Sequence, residues 1–378
     1  MKVVLSIVIC LFMPLISCRK STYYYSEQET YARIQNSVKN PLVKVLKVEN
    51  RIDFTNEELS ILADIDRKKA IITHLVYRDD EFFVQLRDPE LHVIKEKMLV
   101  YGKGPGEWNK IIAIFSTDSM FGFLELQKST IELFDADLRY KDSISLREGA
   151  RLYFAPSSIV KHGDTFMICP AVPNQIVRID AKGMIQEKTA QDFKPADKNE
   201  FLKYFGLNAG YMKADDDGYV YVAFSGKENT YELRKFDSSL TLVWVNTITD
   251  EYKDVLSTKT VQLRNGSVQP SRAAASRGID TDDRYIYVLR GVGGYTTYNE
   301  EDKPVITTIP GLQHGFIDVF EKTNGKHAFR IQAPFLKTNA LYGMKVFNGK
   351  FFFFSRPEYQ DDILFEGTNC IYVASIVE

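Results

Sequence analysis

Tyr211-Met212-Lys213-Ala214, Asp215-Asp216-Asp217-Gly218, Tyr219-Val220-Tyr221-Val222-Ala223-Phe224, then Tyr231 to Phe236, Asp237 and Leu240 to Val245 read as strand, turn, strand, strand, turn, strand. β-Branched and aromatic residues fill the apolar runs, where they pack well on a pleated surface. Asp and Gly fill the breaks, where short polar side chains and positive φ make turns. A third run that stops at Phe236-Asp237 before a turn is the most distinctive part of this pattern.

The same order recurs along the chain. Ile72 to Met98 has the Arg78-Asp79-Asp80 turn, Phe82-Phe83-Val84 and the Asp88-Pro89 turn. Ile112 to Ile144 has Phe121 to Leu126, Thr130 to Phe134 and the Asp135-Ala136-Asp137 turn. From Ser157 come Ile159-Val160, His162-Gly163-Asp164, Phe166 to Cys169, and Gln175 to Ile179 before Asp180. A fifth copy runs Gly278-Ile279, Asp282-Asp283, Tyr285 to Leu289, Gly315 to Phe320, and Lys326 to Ile331. The last uses Gly343 to Val346, Asn348-Gly349, Lys350 to Phe354 and Asn369 to Val373. Such copies, each burying its apolar faces only against neighbours, imply an all-β, six-bladed β-propeller of antiparallel blades. Paired β-sandwiches are the alternative architecture. A propeller needs its ring closed, and Leu42 to Val48 is the strand available to complete the final blade. Asn56 to Asp66 and Asp197 to Phe205 are expected as short helices.

The N-terminus carries a different signal. Met1-Lys2 is a basic start and Val3 to Ile16 an apolar run, too short for the roughly 20 residues of a transmembrane helix. The run ends at Leu15-Ile16-Ser17-Cys18, a lipobox in which a small residue precedes the thiol that accepts diacylglycerol. The expected organisation is a signal peptide at 1–17, a lipidated tether at 18–40 and the propeller at 41–378. The competing reading is a plain signal peptide cut near Ser17 with Cys18 a spare thiol. Acyl chains add about 0.8 kcal/mol per buried methylene, so the chains on Cys18 would attach the protein to a membrane without a spanning helix.

Composition narrows the function. Aromatic residues make up 13% of the 378 and the formal charge is −2, so there is no electrostatic footprint for nucleic acid. Of four cysteines, Cys10 leaves with the leader and Cys18 takes lipid. Cys169 and Cys370 remain, read as two buried thiols, with a disulfide as the alternative that an exported compartment permits.

At Gly102-Lys103-Gly104-Pro105-Gly106-Glu107-Trp108 the chain resembles the TolB-like six-bladed β-propeller lipoproteins of Bacteroidota, which carry a GxGPGE-aromatic segment in the loop leaving an early blade. The resemblance implies the propeller fold and an exported, lipid-anchored location, and leaves the activity open. Glycines at 102, 104 and 106 around Pro105 make a rigid compound turn, in which Glu107 is expected to accept backbone N–H bonds and Trp108 to pin the loop under the next blade. A phosphate loop would need a Lys-Ser/Thr end, which is absent. Arg19 after the cysteine favours the outer membrane, and Lys20-Ser21-Thr22 lacks the acidic cluster of surface-displayed lipoproteins, so the periplasmic leaflet is expected, with the cell surface as alternative.

No cofactor or metal motif and no GxSxG elbow is read. Asp215-Asp216-Asp217-Gly218 lacks the later glutamate of a calcium loop and reads as an acidic hairpin turn. His74, His92, His162, His314 and His327 are scattered, and His314 alone is placed at a blade mouth where it would face a channel. Long polar insertions at Ser257 to Arg277 and Gly291 to Gln313 are the expected binding segments. The sequence is read as a binding or scaffold module for a protein, peptide or glycan rather than an enzyme. The alternative is a hydrolase or lyase whose residues converge on the central channel.

Overall fold

The acidic turns explain how the chain folds back on itself. At Asp135 the backbone N–H donates to Arg139 O, Leu138 N–H returns to Asp135 O, and the Asp135 carboxylate accepts the N–H groups of Asp137 and Arg139. The same bonds form at Asp88, Asp180 and Asp237, each with a residue of positive φ three positions on. That residue is Gly183 once and a buried leucine three times: Leu91, Leu138 and Leu240. Local side-chain bonding thus holds leucine in a backbone region it normally avoids, and its side chain enters the blade interface. Asp215-Asp216-Asp217-Gly218 is the same device, with Asp215 accepting Tyr219 N–H and pairing with Lys322 at 2.8 Å.

The computed structural model describes residues 32–38, 41–54, 58–117, 119–146, 158–169, 176–189, 211–225, 231–250, 259–262, 268–271, 278–290, 294–298, 301, 304–308, 314–337, 340–357 and 369–377. Two strands, β1 (Ala32–Val38) and β2 (Val43–Asp53), precede the first blade. Blade one is β3 (Glu58–Asp66), β4 (Ile71–Arg78), β5 (Glu81–Arg87) and β6 (Val93–Leu99). Blade two is β7 (Ile111–Ser116), β8 (Met120–Glu125), β9 (Thr130–Asp135) and β10 (Tyr140–Ser145). Blade three is β11 (Ser158–His162), β12 (Thr165–Cys169), β13 (Ile176–Ile179) and β14 (Ile185–Thr189). Blade four is β15 (Tyr211–Ala214), β16 (Val220–Ser225), β17 (Tyr231–Phe236) and β18 (Leu242–Asp250). A hairpin of β19 (Lys259–Gln262) and β20 (Val268–Ser271) lies between blades four and five. Blade five is β21 (Gly278–Thr281), β22 (Tyr285–Arg290), β25 (His314–Glu321) and β26 (His327–Lys337), interrupted by a second hairpin of β23 (Gly294–Tyr298) and β24 (Pro304–Thr308). Blade six is β27 (Ala340–Phe347), β28 (Lys350–Pro357) and β29 (Cys370–Val377).

The sixth blade takes its outer strand from the other end of the chain. β2 pairs antiparallel with β29, so the ring is closed by residues near the N-terminus, and its first residues also pair parallel with β26 of blade five. β1 adds a parallel fifth strand to β18 of blade four. Inner strands β3, β7, β11, β15, β21 and β27 contact one another in sequence, and β27 returns to β3. Each of six apolar clusters among the described residues fills one interface between adjacent blades. This is a closed six-bladed β-propeller. Phe351 to Phe354 are all buried, because blade six packs against a neighbour on each face.

One expectation is corrected. Asn56 to Asp66 is not a helix: Glu58–Asp66 is the inner strand of blade one. Leu59, Leu62 and Ala63 repeat at helical spacing, but both faces of an inner strand are covered, so the alternation that marks an exposed sheet is missing, and a bulge between Ser60 and Leu62 disturbs it further. The copy read from Ile72 is consequently the second to fourth strands of its blade. The other expected helix, Asp197 to Phe205, lies outside the described residues, as do Cys18 and the leader.

Alternating strand direction gives the ring two unlike faces. The turns after the first and third strands of each blade, including all the Asp turns above, lie on one face, which we call the turn face. Connections after the second and fourth strands leave from the opposite face, among them the long ones that follow β10, β14, β18, β22 and β28.

Candidate functional site

The inner strands enclose a cavity of about 340 Å³ on the axis of the ring. Half-buried Ile61, Ile112, Val160 and Tyr211 line it, with Ser158 and Gly278. Near its turn-face end each inner strand contributes one polar residue within three positions of its hairpin turn: Asp64, Ser116, Lys161, Lys213, Asp280 and Lys345 in ring order. Strand pairing sets their positions: Ser116 is in the last pair of its hairpin, Lys161, Lys213 and Asp280 precede the last pair by one residue, and Asp64 and Lys345 by two.

Four of these side chains pair across blades, Lys345 with Asp64 and Lys213 with Asp280. Lys345 Nζ is 2.6 Å from Asp64, whose other oxygen accepts Ser116 N–H at 2.8 Å, so this pair joins blade six, blade one and blade two. Asp280, 1% exposed, accepts from Arg67 at 2.6 Å and from the backbone N–H groups of Val346 (2.7 Å) and Thr281 (2.9 Å). Lys213 Nζ stands 3.4 Å from the same carboxylate. Although burial opposes ionisation, Lys213, Arg67 and Lys345 together hold the Asp280 carboxyl at about 2. The nearby lysines likewise depress Asp64 against the cost of its burial. The two lysines behave oppositely. Burial lowers Lys213, while the two carboxylates outweigh burial at Lys345 and raise it.

A second cluster lies under blades four and five. Asp318 is fully buried and accepts from Arg330 (2.8 Å), His327 (3.2 Å) and Tyr231 Oη (3.2 Å); against the cost of burial, His327, Arg330 and Arg290 hold its carboxyl far below the usual range. Arg290 completes it, 3.5 Å from Asp318 and stacked on the Tyr231 ring. The cluster lies within the blade interface.

Ser60 Oγ and His74 Nε2 are 2.9 Å apart, the spacing of a nucleophile and its base. Both are sealed from solvent between Phe54 and Phe354, and burial, with the Arg87 cation beside it, pushes His74 down to about 3. A ring that weakly basic is a poor proton acceptor, so the pair ties strand to strand.

The Gly102 to Trp108 segment connects blades one and two on the face opposite the turns. Glu107 accepts Gly104 N–H at 2.5 Å, and Trp108, 7% exposed, donates from Nε1 to Leu99 O at 2.9 Å and packs edge-on against Phe82 and Tyr101. Lys128 caps Gly104 O and Glu107 O, and Gly106 N–H donates to Glu132 at 2.9 Å. Pro105 is exposed at the tip between them. The amides that a phosphate would need are therefore held by carboxylates and carbonyls of the chain itself.

Cys169 and Cys370 are buried in blades three and six, on opposite sides of the ring and out of the roughly 4.4–6.8 Å Cα reach of a disulfide. His162 Nε2 donates to Gly218 O (3.0 Å) and His92 pairs with Asp88 (3.0 Å), both at turns. The side chain of His314 and most of the two long insertions lie outside the described residues. Sequence reading missed the channel ring, although its signal was present: an apolar inner strand interrupted by a charge two positions before the turn, as in Met212-Lys213-Ala214-Asp215 and Ile279-Asp280-Thr281-Asp282.

No family model matches the chain, and no curated protein matches it. Among solved structures, it is similar to a member of the DUF4221 family from Bacteroides vulgatus at 9% identity and a TM-score of 0.54, covering 88% of this chain and 97% of that one. A protein of Bacteroides fragilis whose description calls it exported is similar at 10% identity and a TM-score of 0.51, covering 92% and 100%. At these identities the likeness is one of fold.

Proposed function

We propose that this chain is an exported propeller, attached by lipid on Cys18 to the periplasmic leaflet of the outer membrane, that binds a protein, peptide or glycan on the face carrying its long connections. The observation that supports this is the asymmetry of the ring. β1 begins at Ala32 opposite Trp244, beside the Asp237 to Thr241 turn, so a tether from Cys18 reaches the body at the turn-face rim. The long connections that follow β10, β14, β18, β22 and β28 then leave from the face directed away from the membrane. Segments of that length in a repeat fold commonly carry recognition. The exported description of the similar Bacteroides fragilis protein agrees with the leader at Met1 to Ser17. A binding module is favoured over a hydrolase or lyase because both channel carboxylates, Asp64 and Asp280, are held by cations and backbone N–H groups and are poor proton acceptors.

The test is the intact mass and detergent partitioning of the full chain made in a bacterial host beside Cys18→Ala. Loss of 1–17, added acyl mass and membrane partitioning in the wild type alone support the reading. Identical soluble species cut near Ser17 overturn the anchor and with it the assigned orientation.

A further inference from the structure

The charges at the turn-face end of the channel do not balance. Arg67, Lys161, Lys213 and Lys345 are set against Asp64 and Asp280, which leaves an excess of positive charge in a half-open site. Lys161 donates to Gly163 O, and of the cations held by the two carboxylates Lys213 is the one with donors to spare. Arg67 and Lys345 each hold a carboxylate at 2.6 Å, and Asp280 is already bonded by Arg67 and two backbone N–H groups. Lys213 has a single polar contact among the described residues, at 3.4 Å, leaving donors of its ammonium unused, and its side chain is 13% exposed. A buried charge without a partner is costly, so the site favours an added anion.

We propose that the channel binds a compact organic carboxylate, paired to Lys213, with an apolar body lying against Ile61, Ile112, Val160 and Tyr211. The carboxylate offsets part of the excess positive charge, and the apolar lining favours an organic anion over a bare inorganic one. A cavity of about 340 Å³ sets the size at one ring or one short chain, near the lower end of small-molecule sites. Lys161, next in ring order and donating to Gly163 O at 2.5 Å, lies at the rim and adds attraction to an entering anion. Burial, with the Lys345 and Arg67 cations nearby, lowers the basicity of Lys213 although Asp280 and Asp64 oppose it. This site is on the axis of the ring and stands independently of the face assigned above to a macromolecular partner.

The experiment is calorimetric titration of the full purified protein with sodium benzoate, with benzamide as a neutral molecule of the same shape, and with inorganic phosphate. Benzoate is expected to saturate a single site, with benzamide and phosphate at least tenfold weaker. Lys213→Gln should weaken benzoate at least tenfold, Lys213→Arg should retain it, and Lys182→Gln in an exposed turn should leave it unchanged. Absence of a benzoate isotherm, equal binding of benzamide, tighter binding of phosphate, or an unaffected Lys213→Gln variant each overturns the proposal. If Lys213→Gln does not fold, the comparison of benzoate with benzamide on wild type decides.

Discussion

Replacing Asp280 by Asn should destabilise the ring and remove a defined part of its acid sensitivity. The side chain is 1% exposed and joins blades five, six and one through Arg67, Val346 N–H and its own strand. Its carboxyl titrates at about 2 in place of 3.8, and at about 1.36 kcal/mol per pH unit that difference amounts to about 2.4 kcal/mol of stability at neutral pH. Because the folded value is the lower one, this stability is present above pH 3.8 and is lost as the pH falls toward 2. Asparagine keeps an acceptor for one backbone N–H but leaves Arg67 and Lys213 without their anion, so the loss at pH 7 should be about 2–4 kcal/mol. With a urea m-value near 3 kcal/mol per M, a loss of 2.4 kcal/mol lowers the midpoint by about 0.8 M. Fluorescence of Trp108 and Trp244, both buried, follows the transition. Between pH 4 and 2 the wild type should lose its advantage over the variant. A midpoint change below about 0.2 M, or parallel stability curves over that pH range, would refute the reasoning.

Gly106 sits at φ +72°, and a Cβ there would come within 2.6 Å of the Tyr140 ring, so Gly106→Ala should cost about 1–3 kcal/mol in thermal unfolding. Phe123, fully buried between blades one and two, should cost about 3–5 kcal/mol as Phe123→Ala in the same assay. His74 titrates at about 3 instead of 6.5, so its stabilising contribution is complete above pH 6.5 and is lost as the pH falls toward 3. Its imidazole nitrogens should keep neutral chemical shifts at pH 5, and a transition centred near 6.5 contradicts its burial.

Much of the fold was legible because it is written in local chemistry that repeats. Phe134-Asp135 and Phe236-Asp237 announce strand ends that the Asp carboxylates then fold into turns, and these bonds need no distant partner. Leu42 to Val48 was assigned to ring closure because a propeller demands an extra strand, and β2 supplies it. Blade one was harder to read because Leu59, Leu62 and Ala63 carry a helical spacing that only the covering blades override. The channel site was illegible for another reason. Asp64, Lys213, Asp280 and Lys345 are far apart in the chain, and each alone looks like an ordinary exposed charge at a turn. Only closure of the ring brings them within bonding distance. The Gly102 to Trp108 turn could be seen as rigid, but its anchors Lys128 and Glu132 come from the next blade and carry no signal in the segment itself.

The central claim, a ring closed by β2 against β29, is tested most directly by a cross-link between register partners. Lys47 and Ser375 face each other across that pairing, so Lys47→Cys with Ser375→Cys should oxidise to a disulfide, seen as a shift on a non-reducing gel and as a linked peptide by mass. The pair Lys47→Cys with Ser143→Cys, from blade two, should remain reduced. If the first pair stays reduced, or both pairs cross-link alike, β2 does not complete blade six and the closed propeller is wrong.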